Sequence, residues 1–263
     1  MLMKIRILTC VAVAIAMFVL ASRSQADSIV WAAPQPISGD TDVSTAGMLD
    51  RAFVFGNSAT ITASTVNGVT FAPFGGDGTQ PSISSGNTTI ASNGFVGGNS
   101  TALGSAASPF AALSANYRSL LQGAVYSNGL SPGFTGTLTV TLNGLAVGTP
   151  YQFETWVNDS RAGNFRTQTV AAGNAATMVF NSTHLEGGVG QYLTGTFTAT
   201  GTSQVVTFAG TGVSDPFGDP IGQINAFELR ALPAPVPLPS TLVVGLAGFA
   251  GLAAWTFRRK QAA

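Results

Sequence analysis

From Thr135 to Leu142 the chain reads T-G-T-L-T-V-T-L. Threonines at 135, 137, 139 and 141 alternate with Gly136, Leu138, Val140 and Leu142. A period of two separates the hydroxyl set from the apolar set only on an extended strand; a helix would scatter both around its circumference. Leu193, Gly195, Phe197 and Ala199 alternate with Thr194, Thr196, Thr198 and Thr200 in the same way. A chain patterned like this must bury one face of each sheet against another layer. Further strand candidates are Arg51–Phe55, Ala59–Val66, Val69–Ala72, Tyr151–Asn158, Arg166–Ala171, Thr177–Phe180, Gln204–Ala209 and Ile224–Leu232. Asn67-Gly68, Asn143-Gly144, Gly148-Thr149-Pro150, Gly173-Asn174 and Gly201-Thr202 punctuate them as turns. Many short strands argue for an all-β, antiparallel, jelly-roll-like β-sandwich. No strand–helix alternation and no G-x-x-x-x-G-K-[ST] run points to a nucleotide-binding sheet.

Two stretches depart from the strand pattern. Ser108–Leu121 places Phe110, Leu113, Tyr117, Leu120 and Leu121 at helical spacing, with Ser108 as cap and Pro109 in the first turn. It predicts one short amphipathic helix closing an end of the core. Residues 75–108 hold 22 Gly, Ser, Thr or Asn among 34. So little bulk predicts a surface loop region or a set of thin edge strands.

The ends differ from the middle. Lys4 and Arg6 precede an uncharged, mostly apolar run, Ile7–Ala21, and Ser24-Gln25-Ala26 offers small residues for cleavage between Ala26 and Asp27. At about 1.5 Å per residue that run spans roughly 22 Å, short of a hydrocarbon core about 30 Å thick. Residues 1–26 are therefore expected to be a signal peptide recognised by signal peptidase. The one cysteine, Cys10, lies inside it, so the exported chain would carry no disulfide. At the other end, residues 232–239 read L-P-A-P-V-P-L-P, a stalk that neither strand nor helix accepts. Residues 240–257 carry no charge, long enough to cross a bilayer as a helix, and the tail 258–263 opens with Arg258, Arg259 and Lys260, which the positive-inside rule keeps cytoplasmic.

The run Val236–Lys260, V-P-L-P-S-T-L-V-V-G-L-A-G-F-A-G-L-A-A-W-T-F-R-R-K, resembles the C-terminal sorting tail of the PEP-CTERM family. The matching positions are Pro237, Leu238, Pro239 and Ser240, then the apolar helix, then Arg258, Arg259 and Lys260; Leu238 stands where the family usually has glutamate. The resemblance implies membrane insertion, handling by an exosortase, and delivery to the cell envelope or extracellular matrix. Within the domain, L-N-G-L-x-x-G-x-x-Y from Leu142 is similar to turns of fibronectin-type and carbohydrate-binding sandwiches, and G-Q-I-N-A-F-E-L-R from Gly222 resembles the closing strand of galactose-binding-like jelly rolls. That resemblance implies a binding or scaffold domain.

Residues 27–231 then form the exported domain. It holds eleven acids against Arg51, Arg118, Arg161, Arg166 and Arg230, a net charge of −6, with no lysine. Such a surface disfavours nucleic acid and suits neutral sugars or calcium. The densest polar cluster is W-V-N-D-S-R-A-G-N-F-R, with Trp156, Asn158, Asp159, Arg161 and Arg166. A tryptophan face stacks on sugar C–H groups while amide, carboxylate and guanidinium take hydroxyls; the same residues also make a structural ion pair and an Asx turn. Asp215 and Asp219 are weak calcium candidates on a Pro/Gly loop, and equally turn formers. His184 stands alone without a G-x-S-x-G motif, and Glu154 with Glu186 or Glu228 forms only a chance acid pair. The expectation is a non-enzymatic structural or adhesive unit without cofactor; the alternative is a carbohydrate-binding module for exopolysaccharide, and a secreted glycoside hydrolase comes third. Ice binding would require regular threonine ladders on a flat face.

Overall fold

The computed structural model describes residues 28–129, 135–212 and 220–234. The expected signal peptide with its Ala26/Asp27 cleavage point, most of the stalk, the sorting helix and the basic tail lie outside the described residues. So do Asp215, Asp219, Pro237, Leu238, Pro239, Ser240, Arg258, Arg259 and Lys260. Pro233–Ala263 form a unit separate from the preceding chain.

The strands run β1 (Val30–Trp31), β2 (Gln35–Pro36), β3 (Met48–Asn57), β4 (Ser64–Val66), β5 (Val69–Gly76), β6 (Ser82–Ser85), β7 (Thr88–Ser92) and β8 (Phe95–Asn99). After the helix α1 (Ala115–Leu121) come β9 (Ala124–Asn128), β10 (Thr137–Asn143), β11 (Pro150–Val157), β12 (Thr167–Ala172) and β13 (Asn174–Val179). The last are β14 (Gln191–Thr198), β15 (Ser203–Thr211), β16 (Gln223–Ile224) and β17 (Ala226–Ala231). One large sheet has the order β1-β14-β11-β17-β3-β5-β4, with β2 also on β14. A six-stranded sheet runs β13-β12-β15-β10-β7-β6, and a small one β16-β9-β8. Pairing is antiparallel except between β3 and β5.

The alternation in the sequence sets which face is buried. On β10 and β15, Leu138 opposes Phe208 and Val140 opposes Val206, all fully buried, while Thr139 opposes Thr207 on the outside. Phe153, Leu193, Phe227 and Leu229 of the large sheet meet them in one core. Burial of apolar area at roughly 25 cal/mol per Å² drives this layer together. Gly195 breaks the apolar row because β1 crosses there: a Cβ would come 2.4 Å from Trp31 and Ile29 atoms.

The structure decides one open expectation and revises another. Residues 75–108 contain β6, β7 and β8, with Ile90 and Val96 fully buried. Small residues there allow strands to pack closely rather than loop out; a Cβ on Gly98 would strike the carbonyl oxygens of Gly56 and Gly76. The helix begins later than Ser108: a 3-10 turn occupies Phe110–Ala112, and Ser114, whose Oγ accepts from Tyr117 N at 3.1 Å, caps α1. Nor does it close the sandwich core. Phe110, Tyr117, Leu120 and Leu121 join Val54, Val66, Val69, Phe71, Trp156 and Ala226 in a second core on the outer face of the large sheet. Its residues match the amphipathic stripe, but a stripe does not say which of two sheet faces it covers.

Candidate functional site

The proposed sugar platform is interior structure. Trp156 is fully buried, stacked edge-on against Phe71 at 5.8 Å and alongside Tyr192 at 6.5 Å. Its Nε1 donates to the Tyr117 hydroxyl at 3.0 Å, which donates to Asp42 Oδ2 at 2.9 Å. Asp42 in turn accepts from Ser38 N and Gly39 N, tying β11, α1 and the 38–42 turn together. Burial, then the Asp42 carboxylate, push the Tyr117 hydroxyl pKa well above its ordinary value. No face of this tryptophan is left for a ligand.

Asn158 is also fully buried and its amide closes three loops. Nδ2 donates to Leu103 O (3.3 Å), Leu121 O (3.5 Å) and Ser160 Oγ (3.1 Å), and Oδ1 accepts from Gly190 N at 3.0 Å. Asn225 completes the junction: its Oδ1 accepts from Asn158 N at 2.9 Å, and its Nδ2 donates to Leu121 O at 2.7 Å and Gly123 O at 2.8 Å. Asp159, fully buried, holds the Arg161 guanidinium in a fork, Nε–Oδ1 2.8 Å and Nη2–Oδ2 2.5 Å. This is the structural ion pair rather than a ligand set for Asp159, because both carboxylate oxygens face the arginine. The reading of Trp156, Asn158 and Asp159 as ligand contacts is therefore corrected: at the strand end they are held inside by the loops folded over them.

Glu154 and Glu228, by contrast, are brought together as opposed residues of β11 and β17. They are 2 % and 0 % exposed, so they line no open cleft, and a hydrolase reading loses this pair. Glu154 accepts from Ser44 N (3.0 Å) and Thr194 Oγ1 (3.1 Å), and Glu228 Oε1 accepts from Arg230 Nε at 3.1 Å. Burial, then the hydrogen bond to Glu228, push the Glu154 carboxyl up to about 8. Burial beside Glu228 thus favours the protonated form of the Glu154 carboxyl near neutral pH. Glu186 is a loop pin, accepting from Ser105 Oγ and from Ala162 N. His184 stacks on Phe165 at 4.4 Å, with Nδ1 2.7 Å from Asn164 O. Among the described residues no three His, Cys, Asp or Glu side chains gather as a metal would require.

Arg161 and Arg166 do come together, in a cavity of about 270 Å³ at one end of the sandwich. The small sheet builds its wall. Gly97, Tyr126 and Gln223 oppose one another across β8, β9 and β16, so their row shares a face, with Asn99 and Asn128 two residues along their strands on that same face. The opposite face carries Val96, Val125 and Ile224 into the core. Asn99, Tyr126, Asn128, Gln223 and both arginines line the cavity. Tyr126 lies flat over Gly97, where a Cβ would come 2.6 Å from its ring. The sequence contained Gln223 in a quoted motif but nothing marked Tyr126, Asn99 or Asn128. Strands of two to five residues are too short to show which face a residue takes.

No family model matches the chain, and no curated protein matches it. Among solved structures, the ANXUR1 extracellular domain from Arabidopsis thaliana is similar with TM-score 0.37 and 16 % identity, over 72 % of this chain and 51 % of that one. The plant receptor-like kinase ANX2 is similar with TM-score 0.38 and 14 % identity, over 73 % of this chain and 51 % of that one. The chain thus spans about half the length of these two proteins. A structure described as a carbohydrate-binding module of the β-sandwich superfamily is similar with TM-score 0.25 and 12 % identity, over 80 % of this chain and 98 % of that one.

Proposed function

We propose that this chain is an exported, exosortase-sorted protein of the cell envelope or extracellular matrix, whose jelly-roll-like sandwich serves as a non-enzymatic adhesive unit toward neutral matrix polysaccharide. The observation that carries the reading is the outer face of the six-stranded sheet. None of its six strands contains a charged residue. One row across it reads Ala175, Ala171, Thr207, Thr139, Ala91, Ser82, and the next Thr177, Thr169, Ala209, Thr137. Soluble domains ordinarily scatter charges over such a surface. A hydroxyl- and methyl-bearing plane without charge instead meets a large neutral polymer at little desolvation cost. The sorting signals read at both ends supply the address.

Intact-mass analysis of envelope and medium fractions tests the address. The expected species begins at Asp27 and, after processing, ends near Pro237-Leu238-Pro239. A full-length mass confined to the cytoplasm would overturn it. Co-sedimentation with neutral matrix polysaccharide tests the face: Thr139→Lys together with Thr207→Lys is expected to lower retention, and unchanged retention removes the adhesive assignment.

A further inference from the structure

We infer that the pocket between α1 and the 101–106 segment is a recognition site for a carboxylate-bearing sugar of the hexuronate class. Its centre is Arg118. Of the five arginines in the domain, Arg51, Arg161 and Arg230 pair with Asp50, Asp159 and Glu228, and Arg166 is also engaged. Arg118 makes no side-chain hydrogen bond and no ion pair with the described residues. It is half-buried, and its Nε is enclosed without an acceptor. The two terminal nitrogens are not enclosed in that way, so they form the edge of the guanidinium that opens into the pocket Arg118 lines. A cation partly withdrawn from water, with no internal counter-charge, calls for an anion from outside.

The fold fixes the surroundings. Ala115, Arg118 and Gln122 fall at helical spacing, three and four apart, and share one face of α1. Leu103 N donates to Gln122 O at 3.1 Å and holds the 101–106 segment against the end of the helix. Gly104 permits that approach, since a Cβ there would come 3.0 Å from Gln122 Cβ and 3.1 Å from Phe110 Cε1. The pocket so walled measures about 550 Å³, inside the usual range of about 300–1,000 Å³ for small-molecule sites and larger than a single inorganic ion fills. Thr101 and Gln122 line it, and neither side chain makes a hydrogen bond to the described residues. A hydroxyl and an amide each donate and accept, as sugar hydroxyls do. Charge then selects the anion. Ser105, on the pocket wall, donates to Glu186, whose other oxygen accepts from Ala162 N, so one carboxylate already stands behind that wall. A single unpaired guanidinium beside it suits a single negative charge, and its two terminal nitrogens match the two oxygens of a carboxylate. Sulfate is a dianion, poorly matched to one arginine in a domain of net charge −6. A neutral sugar leaves the guanidinium unanswered. Neither the uncharged sheet face nor the sorting tail takes part, so this site stands or falls apart from both.

The test uses the full-length chain in a zwitterionic detergent without sugar groups. Ligand-observed NMR titrations are recorded at fixed ionic strength with glucuronate, galacturonate, glucose and galactose, and sodium acetate and sodium sulfate are added as competitors. At least one uronate is expected to bind with a dissociation constant on the order of 1 mM for about a dozen ligand atoms. The matching neutral sugar should bind at least about tenfold more weakly, and displacement should need at least about a tenfold excess of acetate or sulfate. Arg118→Gln keeps an amide but removes the charge, and is expected to weaken uronate binding at least about tenfold. Gln122→Ala should weaken it about threefold. Far-UV circular dichroism and thermal unfolding check that each variant is folded. Silence from both uronates, a neutral sugar bound as tightly as its uronate, displacement by equimolar acetate or sulfate, or wild-type affinity in folded Arg118→Gln or Gln122→Ala would each overturn the inference.

Discussion

Tyr117 shows how one hydroxyl does two jobs in this protein. It accepts from Trp156 Nε1 and donates to Asp42 Oδ2, both within a buried cluster. Tyr117→Phe leaves the indole N–H without a partner and is expected to cost about 1–3 kcal/mol, read as a lower urea midpoint with an unchanged slope. Trp156→Ala should cost more, about 3–5 kcal/mol, from the cavity it opens. The Glu154–Glu228 pair gives a pH signature. The Glu154 carboxyl, normally near 4.5, is raised to about 8 in the folded chain. The native state therefore keeps a proton that the unfolded chain releases. Stability from this group is complete below about 4.5, declines as pH rises, and is lost on passing 8. Thermal melts between pH 5 and 8 should show a fall of at least about 4 °C, the equivalent of ~1–2 kcal/mol in a domain of about 200 residues. Glu154→Gln should flatten that slope; a variant with the wild-type slope would contradict the assignment.

At the scale of elements, turn chemistry and capping were readable where they follow local rules. Asn67 and Gly68 both take positive φ, 50° and 76°, in the hairpin joining β4 to β5. Asn-Gly is the pair that tolerates this twist. Gly68→Val places a β-branched residue in left-handed space and should lower stability by about 1–2 kcal/mol in chemical unfolding. The cap of α1 was misplaced by several residues because Ser108-Pro109 and Ser114 both offer cap chemistry. Only Ser114 sits where its Oγ also reaches Asp40 Oδ1, at 2.6 Å. Ser114→Ala is expected to cost about 1 kcal/mol in the same measurement. The stretch that forms β6, β7 and β8 reads equally as loop or edge strand because Gly and Ser carry weak strand propensity; its close backbone contacts, invisible in a single segment, decide the matter.

For the molecule as a whole, the uncharged face belongs to the six-stranded sheet, while the small cavity is walled by the three-stranded one. The Thr139→Lys, Thr207→Lys protein should unfold within about 0.5 kcal/mol of wild type, since both side chains point outward; a larger loss would mean the face is covered. Sequence alone determined the all-β class and, for long strands such as β10 and β14, the position and the buried face, because a period of two is a local property of such a segment. It also marked both termini as different in kind from the middle. Tertiary structure alone decided that Trp156, Asn158 and Asp159 turn inward, that Glu154 meets Glu228 across a strand pair, and that Tyr126 and Gln223 share a cavity with Arg161 and Arg166. Those outcomes depend on which segments pair and which loop folds over which face. A residue's neighbour across a sheet can lie far away in the chain, as Ala231 does from Met48 and Val30 from Thr196, and no spacing along the chain encodes such pairs.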